Sequence, residues 1–159
     1  AGLFDETLTL HEDLDLFLRL AVMGPWGISG EVMARLIRRE EAPDVNLSRQ
    51  RLDRPVYAHE CLVRVYSKLS KNERLDPQER ALVNERLSGA RFNLGMVLLK
   101  EGQRLAGLDS VRQSFLDSLS AKSLAKYAVV KLGGKAGVSL IERGRSVGTK
   151  GFRRSDSGH

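Results

Sequence analysis

The sequence predicts a mainly α-helical protein that begins with a short mixed α/β segment. Three observations carry that prediction. From Ser48 onward, apolar residues recur at helical spacing between breaks marked by Pro and Gly, the pattern of successive amphipathic helices. Residues 1–47 instead combine short alternating and Gly-bounded pieces with a single amphipathic helix. The chain also has the length of one domain, 159 residues, with 42% hydrophobic and 29% charged residues. A globule of this length buries roughly 70% of its unfolded surface.

Composition narrows the class further. No uncharged apolar run approaches the ~18 residues of a membrane span, and the N-terminal residues lack the basic-then-apolar pattern of a secretory signal. The single cysteine, Cys61, forms no internal disulfide, which fits a reducing compartment. The net charge of +6 is uneven. Residues 120–159 hold Lys122, Lys126, Lys131, Lys135, Arg143, Arg145, Lys150, Arg153 and Arg154 against Glu142 and Asp156 only. Such an end seeks phosphate, on nucleic acid or on an anionic membrane face, or else serves as a solvated tail.

In chain order, Gly2 and Asp5-Glu6 suggest a turn around a buried Phe4, followed by a polar-apolar alternation at Thr7-Leu8-Thr9-Leu10. The opening residues look like the interior of a domain. Three carboxylates, Glu12, Asp13 and Asp15, then open a helix running to about Met23, with Leu14, Phe17, Leu18 and Ala21 on one face. Leu16 and Leu20 widen that stripe, so the helix is expected to be buried on most sides. Carboxylates suit a helix start because the first turn exposes unpaired N–H groups and the positive end of the macrodipole. Asp15 and Arg19 are placed for an i,i+4 pair, and Gly24-Pro25 ends the helix. Residues 31–39 read as strand by their flanking glycines and as helix by propensity, strand being preferred.

The region from residue 48 to 145 reads as helices. The first runs to about Leu69, with Leu52, Val56, Leu62, Val63, Val65 and Tyr66 as core candidates and Pro55 as a kink. Asp76-Pro77-Gln78-Glu79 is a strong start signal for the next, which carries Leu82, Leu87, Ala90, Leu94, Val97 and Leu98 to about Lys100 and closes at Glu101-Gly102. Asp109-Ser110 starts a third bearing Val111, Phe115 and Leu119. Ser120 to Leu132 makes a fourth, ended by Gly133-Gly134, and Val138 to Arg143 a last short one. Residues 146–159 are expected to form a basic disordered tail. His59 and Cys61 lie close together, but two ligands without a second pair make a metal site improbable.

Together, Gly2-x-Phe4-Asp5-Glu6, then Glu12-Asp13-x-Asp15-Leu16-x-Leu18-Arg19-Leu20-Ala21, then Asn46-Leu47-Ser48, resemble the end of the catalytic domain in bacterial family 2 glycosyltransferases. These are GT-A enzymes that move a sugar from a nucleotide-diphosphate donor to an acceptor with inversion. The resemblance covers residues 1–48 and also favours strand at 31–39. It implies that Asp13 is the general base that takes the acceptor hydroxyl proton, and that Glu12 shapes the acceptor pocket. Trp26 offers an apolar face to an acceptor sugar, and Asp15 and Arg19 hold the helix. Arg38 stands where the family carries an arginine near the diphosphate, although the aromatic and histidine of that motif are absent from Ile37-Arg38-Arg39-Glu40.

The chemistry is coherent, since a sugar hydroxyl becomes a good nucleophile only as its proton leaves. The family's donor half, with its βαβ unit and Asp-x-Asp clamp, has no counterpart here; Asp13-x-Asp15 has the spelling but sits at a helix start. The resemblance therefore implies a C-terminal portion of a longer enzyme. The missing N-terminal portion would bind the nucleotide-diphosphate sugar with a divalent metal, Mg or Mn, and no metal is assigned within this chain. The acceptor would be a carbohydrate or lipid-linked sugar, and the setting cytoplasmic, peripheral to the inner membrane face.

Leu94-Gly95, Gly102, Val111 and Phe115 further resemble one tetratricopeptide-like hairpin, with a long turn at Leu105-Ala106-Gly107-Leu108 and without the repeat's Ala and Pro positions. One hairpin reads as an appendage, because arrays need several repeats. The alternative to an enzyme is a non-catalytic helical interaction module whose basic end meets a membrane or a partner. Nucleic acid is the least favoured partner, since the basic residues lack interleaved aromatics.

Overall fold

A computed structural model describes residues 2–25, 27 and 52–152, and the side chains of all of these except 122, 135 and 142–152. The expectations for residues 31–39, Asn46-Leu47-Ser48, Trp26, Arg38 and the last seven residues lie outside the described residues. The described residues are mainly helical and include no strand. Their helices are α1 (Glu12–Ala21), α2 (Pro55–Ser70), α3 (Pro77–Lys100), α4 (Arg104–Ser118) and α5 (Ala121–Phe152). Contacts divide the chain into two compact units, Ala1–Leu87 and Ser88–His159.

In the first unit the Asp5 carboxylate accepts hydrogen bonds from the Thr7 N–H (3.0 Å) and hydroxyl (2.6 Å), which folds the expected turn. That turn does not bury Phe4, which is 56% exposed; it buries Leu8 and Leu10. The alternation explains the correction: with Thr7 and Thr9 outside, the two leucines point inward together. His11 then adopts a left-handed conformation (φ 65°, ψ 20°) and α1 begins.

Helix α1 ends at Ala21, before Gly24-Pro25, and has one covered face rather than several. Leu14, Leu18 and Val22 pack inward, while Phe17 and Leu20 are exposed. The inward face passes through Asp15, so the apolar residues beside it share their stripe with a charge.

Pro55 starts α2 instead of kinking a longer helix. Its missing N–H costs nothing at a first helical position, and its fixed φ suits one. Leu52, ahead of it, is 79% exposed and is not a core residue. The buried stripe of α2 is Ala58, Cys61, Val65 and Leu69. With Leu8 and Leu10, the first three of these form one cluster, covered by Leu14, Leu18 and Tyr57. Each fully buried aliphatic side chain there contributes roughly 1.5–3 kcal/mol. Leu69, Leu75 and Val83 make a second cluster against Leu18 and Val22. The Arg80 guanidinium donates to the Ser70 (2.7 Å) and Asn72 (2.9 Å) carbonyls and so closes the end of α2.

The start signal for α3 is realised as a capping box. The Glu79 N–H donates to Asp76 Oδ1 (2.7 Å) and the Asp76 N–H to Glu79 Oε2 (3.0 Å). Val83 and Leu87 face inward on this helix, whereas Leu82 is exposed.

In the second unit, the remainder of α3 and all of α4 form a hairpin. Its turn is tighter than expected: Gly102 (φ 82°) reverses the chain, and α4 starts at Arg104 instead of Asp109, with Leu105 to Leu108 already helical. Small residues let the backbones approach. A Cβ on Gly95 would stand 2.8 Å from the Gly107 carbonyl oxygen, and one on Gly107 2.9 Å from that of Gly95. Below this contact Ser88 and Ser114 are buried and each donates to the other's carbonyl, at 2.8 and 2.7 Å. The polar groups of the crossing are thus satisfied internally.

Helix α5 is opened by Ser120, whose Oγ accepts from the Ser123 N–H (3.1 Å). Its helical run is broken at Gly134 (φ 49°, ψ −128°), as the Gly133-Gly134 pair predicts. Residues eight apart in a straight helix are separated by about 12 Å. Here a Cβ on Gly137 would overlap the Val129 carbonyl, so the chain bends sharply between them. That bend brings Val130 and Val138 into one buried cluster with Phe92, Met96 and Val111. Beyond it the helix continues to Phe152, past the expected end at Arg143 and into the segment expected to be disordered.

Candidate functional site

The charged residues at the N-terminal end of the chain separate into two kinds. Asp15 is 2% exposed, and its Oδ2 accepts from Arg19 Nε at 2.9 Å. The expected i,i+4 pair is therefore formed, but it is only half of the arrangement. Lys68, reaching from α2, places its Nζ 3.1 Å from Asp15 Oδ1, 3.3 Å from Oδ2 and 2.8 Å from Asp5 Oδ2. Arg19 also donates to the Leu3 carbonyl at 2.9 Å. Two carboxylates and two cations thus tie residues 3–5 and α1 to α2. Asp15, Arg19 and Lys68 line a cavity of about 220 Å3 with Leu18, Lys71 and Asn72.

The electrostatics follow from these contacts. The hydrogen bond from Lys68 and those from Thr7 hold the Asp5 carboxyl well below the usual carboxylate range. Burial works to lower the Lys68 ammonium, but hydrogen bonds to Asp5 and Asp15 outweigh it and raise its pKa. A buried carboxylate needs this compensation, since an isolated one would lose its hydration with nothing in return.

Glu12 and Asp13 belong to the other kind. They open α1, Asp13 is exposed, and its Oδ1 accepts the Leu14 N–H at 2.7 Å. Glu12 is half-buried beside it. The structure thus brings Asp15 and Arg19 together and leaves Asp13 facing solvent. Since Asp15 is committed to Lys68 and Arg19, Asp13-x-Asp15 provides no carboxylate pair for a divalent ion. Among the described residues no three His, Cys, Asp or Glu side chains gather as metal ligands. Cys61 is completely buried in the first cluster and is a core residue.

Lys68 was not foreseen from the sequence and Asp5 only as a turn residue, yet a signal for Lys68 exists. Lys68 stands beside the buried stripe of α2, between Val65 and Leu69 in sequence, and Asp15 on the α1 stripe between Leu14 and Leu18. A carboxylate on the apolar stripe of one helix is expected to meet a cation bordering the stripe of the helix it packs on, because it does not tolerate burial alone.

No family model matches this sequence, and no curated protein or solved structure matches it.

Proposed function

We propose that residues 1–47 form the acceptor-side end of an inverting family 2 glycosyltransferase, with Asp13 as its general base. The observation that supports the reading is the division of labour among the acidic residues. Asp15 is buried and neutralised by Arg19 and Lys68, while Asp13, two residues earlier, is exposed at the helix start. A carboxylate that removes a proton from a bound hydroxyl must be reachable and rigidly held, and a first-turn position on an anchored helix meets both needs.

In this reading the acceptor oxygen forms a bond to the anomeric carbon as the bond from that carbon to the diphosphate oxygen breaks. The hydroxyl proton passes to the Asp13 carboxylate and the nucleoside diphosphate leaves. Glu12 and Trp26 contact the acceptor, Asp15 and Arg19 keep α1 in place, and Arg38 is assigned to the diphosphate. The donor site, with its metal, belongs to a portion N-terminal to these residues.

The test is the longer enzyme carrying Asp13→Asn, in which sugar transfer is expected to be lost while donor binding stays near the parent level. Equal transfer by the variant refutes the assignment. The coding sequence upstream supplies a second check: an Asp-x-Asp following a βαβ segment supports the reading, and a methionine codon directly before Ala1 overturns it.

The second reading, a non-catalytic helical interaction module, is favoured by the exposed leucines of the second unit, among them Leu105, Leu132 and Leu140.

A further inference from the structure

The bend in α5 combines two features that ordinary helix surfaces keep apart. Leu132, immediately before Gly133-Gly134, is 85% exposed, and Leu140, on the far side of the bend, is 64% exposed. Both line an open groove of about 550 Å3 whose walls include Ala128, Val129, Ala136 and Gly137. These are apolar side chains and glycine backbone. Up to Glu142, two positions past Leu140, the sequence of the groove segment carries positive charge only. From Ser118 to Ile141 there is no Asp or Glu, while lysines stand at 122, 126, 131 and 135. Lys126 places its ammonium over the Phe92 ring, 4.8 Å from the centroid, and Lys131 over the Tyr127 ring at 5.5 Å, so both are held beside the bend by their rings.

We infer that the α5 bend is a membrane-surface anchor: Leu132 and Leu140 enter the interfacial layer of an anionic bilayer while the flanking lysines meet lipid phosphates. Charge complementarity selects this occupant over a second copy of the chain, because self-association through the groove would bring together two lysine-rich segments, each with four lysines and no acid between Ser118 and Ile141. An apolar face bordered by lysines is the arrangement by which interfacial helices bind anionic lipid. The element lies on the membrane, since no helix among the described residues is long and apolar enough to cross one. This inference stands on the second unit alone and requires no catalytic role for Asp13.

The test is flotation of the 159-residue chain with vesicles of phosphatidylcholine mixed with phosphatidylglycerol, against vesicles of phosphatidylcholine alone. Binding is expected to the mixed vesicles, to fall with salt, and to weaken roughly tenfold or more in Leu132→Asp, from the loss of one inserted leucine. Position 132 is exposed, so the variant is expected to retain the parent melting temperature. Because Cys61 is fully buried, Leu132→Cys takes an environment-sensitive fluorophore selectively, and its emission is expected to shift to the blue on mixed vesicles. The shift should survive removal of Lys150 to His159, which separates the bend from the basic tail. Unchanged flotation of Leu132→Asp, absence of the blue shift, or its loss with the tail would each overturn the inference. So would a dimer in sedimentation velocity that Leu132→Asp dissociates in the absence of lipid.

Discussion

Replacing Asp15 and Asp13 separately by asparagine distinguishes a structural carboxylate from an exposed one. Asp15 is 2% exposed and accepts charge-assisted hydrogen bonds from Arg19 and Lys68. Asparagine at this position offers one acceptor oxygen and turns an N–H group toward a cation. Removing one partner of a buried ion pair costs about 3–5 kcal/mol. The lower end applies here, because Lys68 is 46% exposed and keeps Asp5, and Arg19 keeps the Leu3 carbonyl. Asp15→Asn is therefore expected to destabilise the first unit by about 3 kcal/mol.

Asp13→Asn removes an exposed charge and keeps an acceptor for the Leu14 N–H. Its cost is the favourable interaction with the helix start, roughly 0.3–1 kcal/mol. Urea unfolding followed by the fluorescence of Trp26, whose position in sequence lies in the first unit, measures both. With a slope of roughly 1 kcal/mol per molar urea for a unit of this size, the midpoints should fall by about 3 M and by less than about 1 M. Equal shifts in the two variants would refute the division between Asp15 and Asp13.

Further outcomes follow from the packing and the charges. Gly95→Ala should destabilise by about 1–3 kcal/mol, because its Cβ would stand 2.6 Å from a Val111 methyl and 2.8 Å from the Gly107 carbonyl, whereas Gly89→Ala, on the same helix with open space around it, should stabilise by roughly 0.5–1 kcal/mol in thermal unfolding. Leu119→Gly should stabilise by about 1 kcal/mol, since Leu119 caps α4 in a left-handed conformation (φ 35°) and is largely exposed. Asp117 has its pKa raised by burial, against the pull of Arg91 at 3.2 Å, so it favours the folded state increasingly as pH falls. Asp117→Asn should then melt at or above the parent at neutral pH, with the difference vanishing under acid. Asp5 is shifted the other way: its contribution is present above the unfolded value of about 3.9 and is lost as pH falls below it. Asp5→Asn should accordingly flatten the acid limb of the stability profile.

Some elements were legible because a single local cause decides them. The Asp76-Pro77-x-Glu79 box starts α3, Gly102 ends its hairpin arm, and Gly134 breaks α5, each through backbone geometry that few residues satisfy. Pro55 shows the boundary of such reasoning, since the same residue serves as a kink or as a first helical position according to the residues before it. Faces were less legible than elements. On α1, Phe17 and Ala21 fit an apolar stripe as well as Leu14 and Val22 do, and only packing against α2 turned the helix so that Asp15 lies inside. Phe4 and Leu52 are exposed for the same reason: hydrophobicity permits burial, while the neighbour that would cover a side chain is set by the tertiary structure.

The sequence by itself thus determined that the chain is mainly helical, the breaks at Asp76-Pro77, Gly102 and Gly134, and that carboxylates gather at the start of α1 with cations toward the C-terminal end. The tertiary structure alone decided which of those carboxylates is committed. Asp13 and Asp15 are alike in chemistry and two residues apart. What separates them is Lys68, 53 positions further on, which the packing of α2 on α1 brings within hydrogen-bonding distance of one and not of the other.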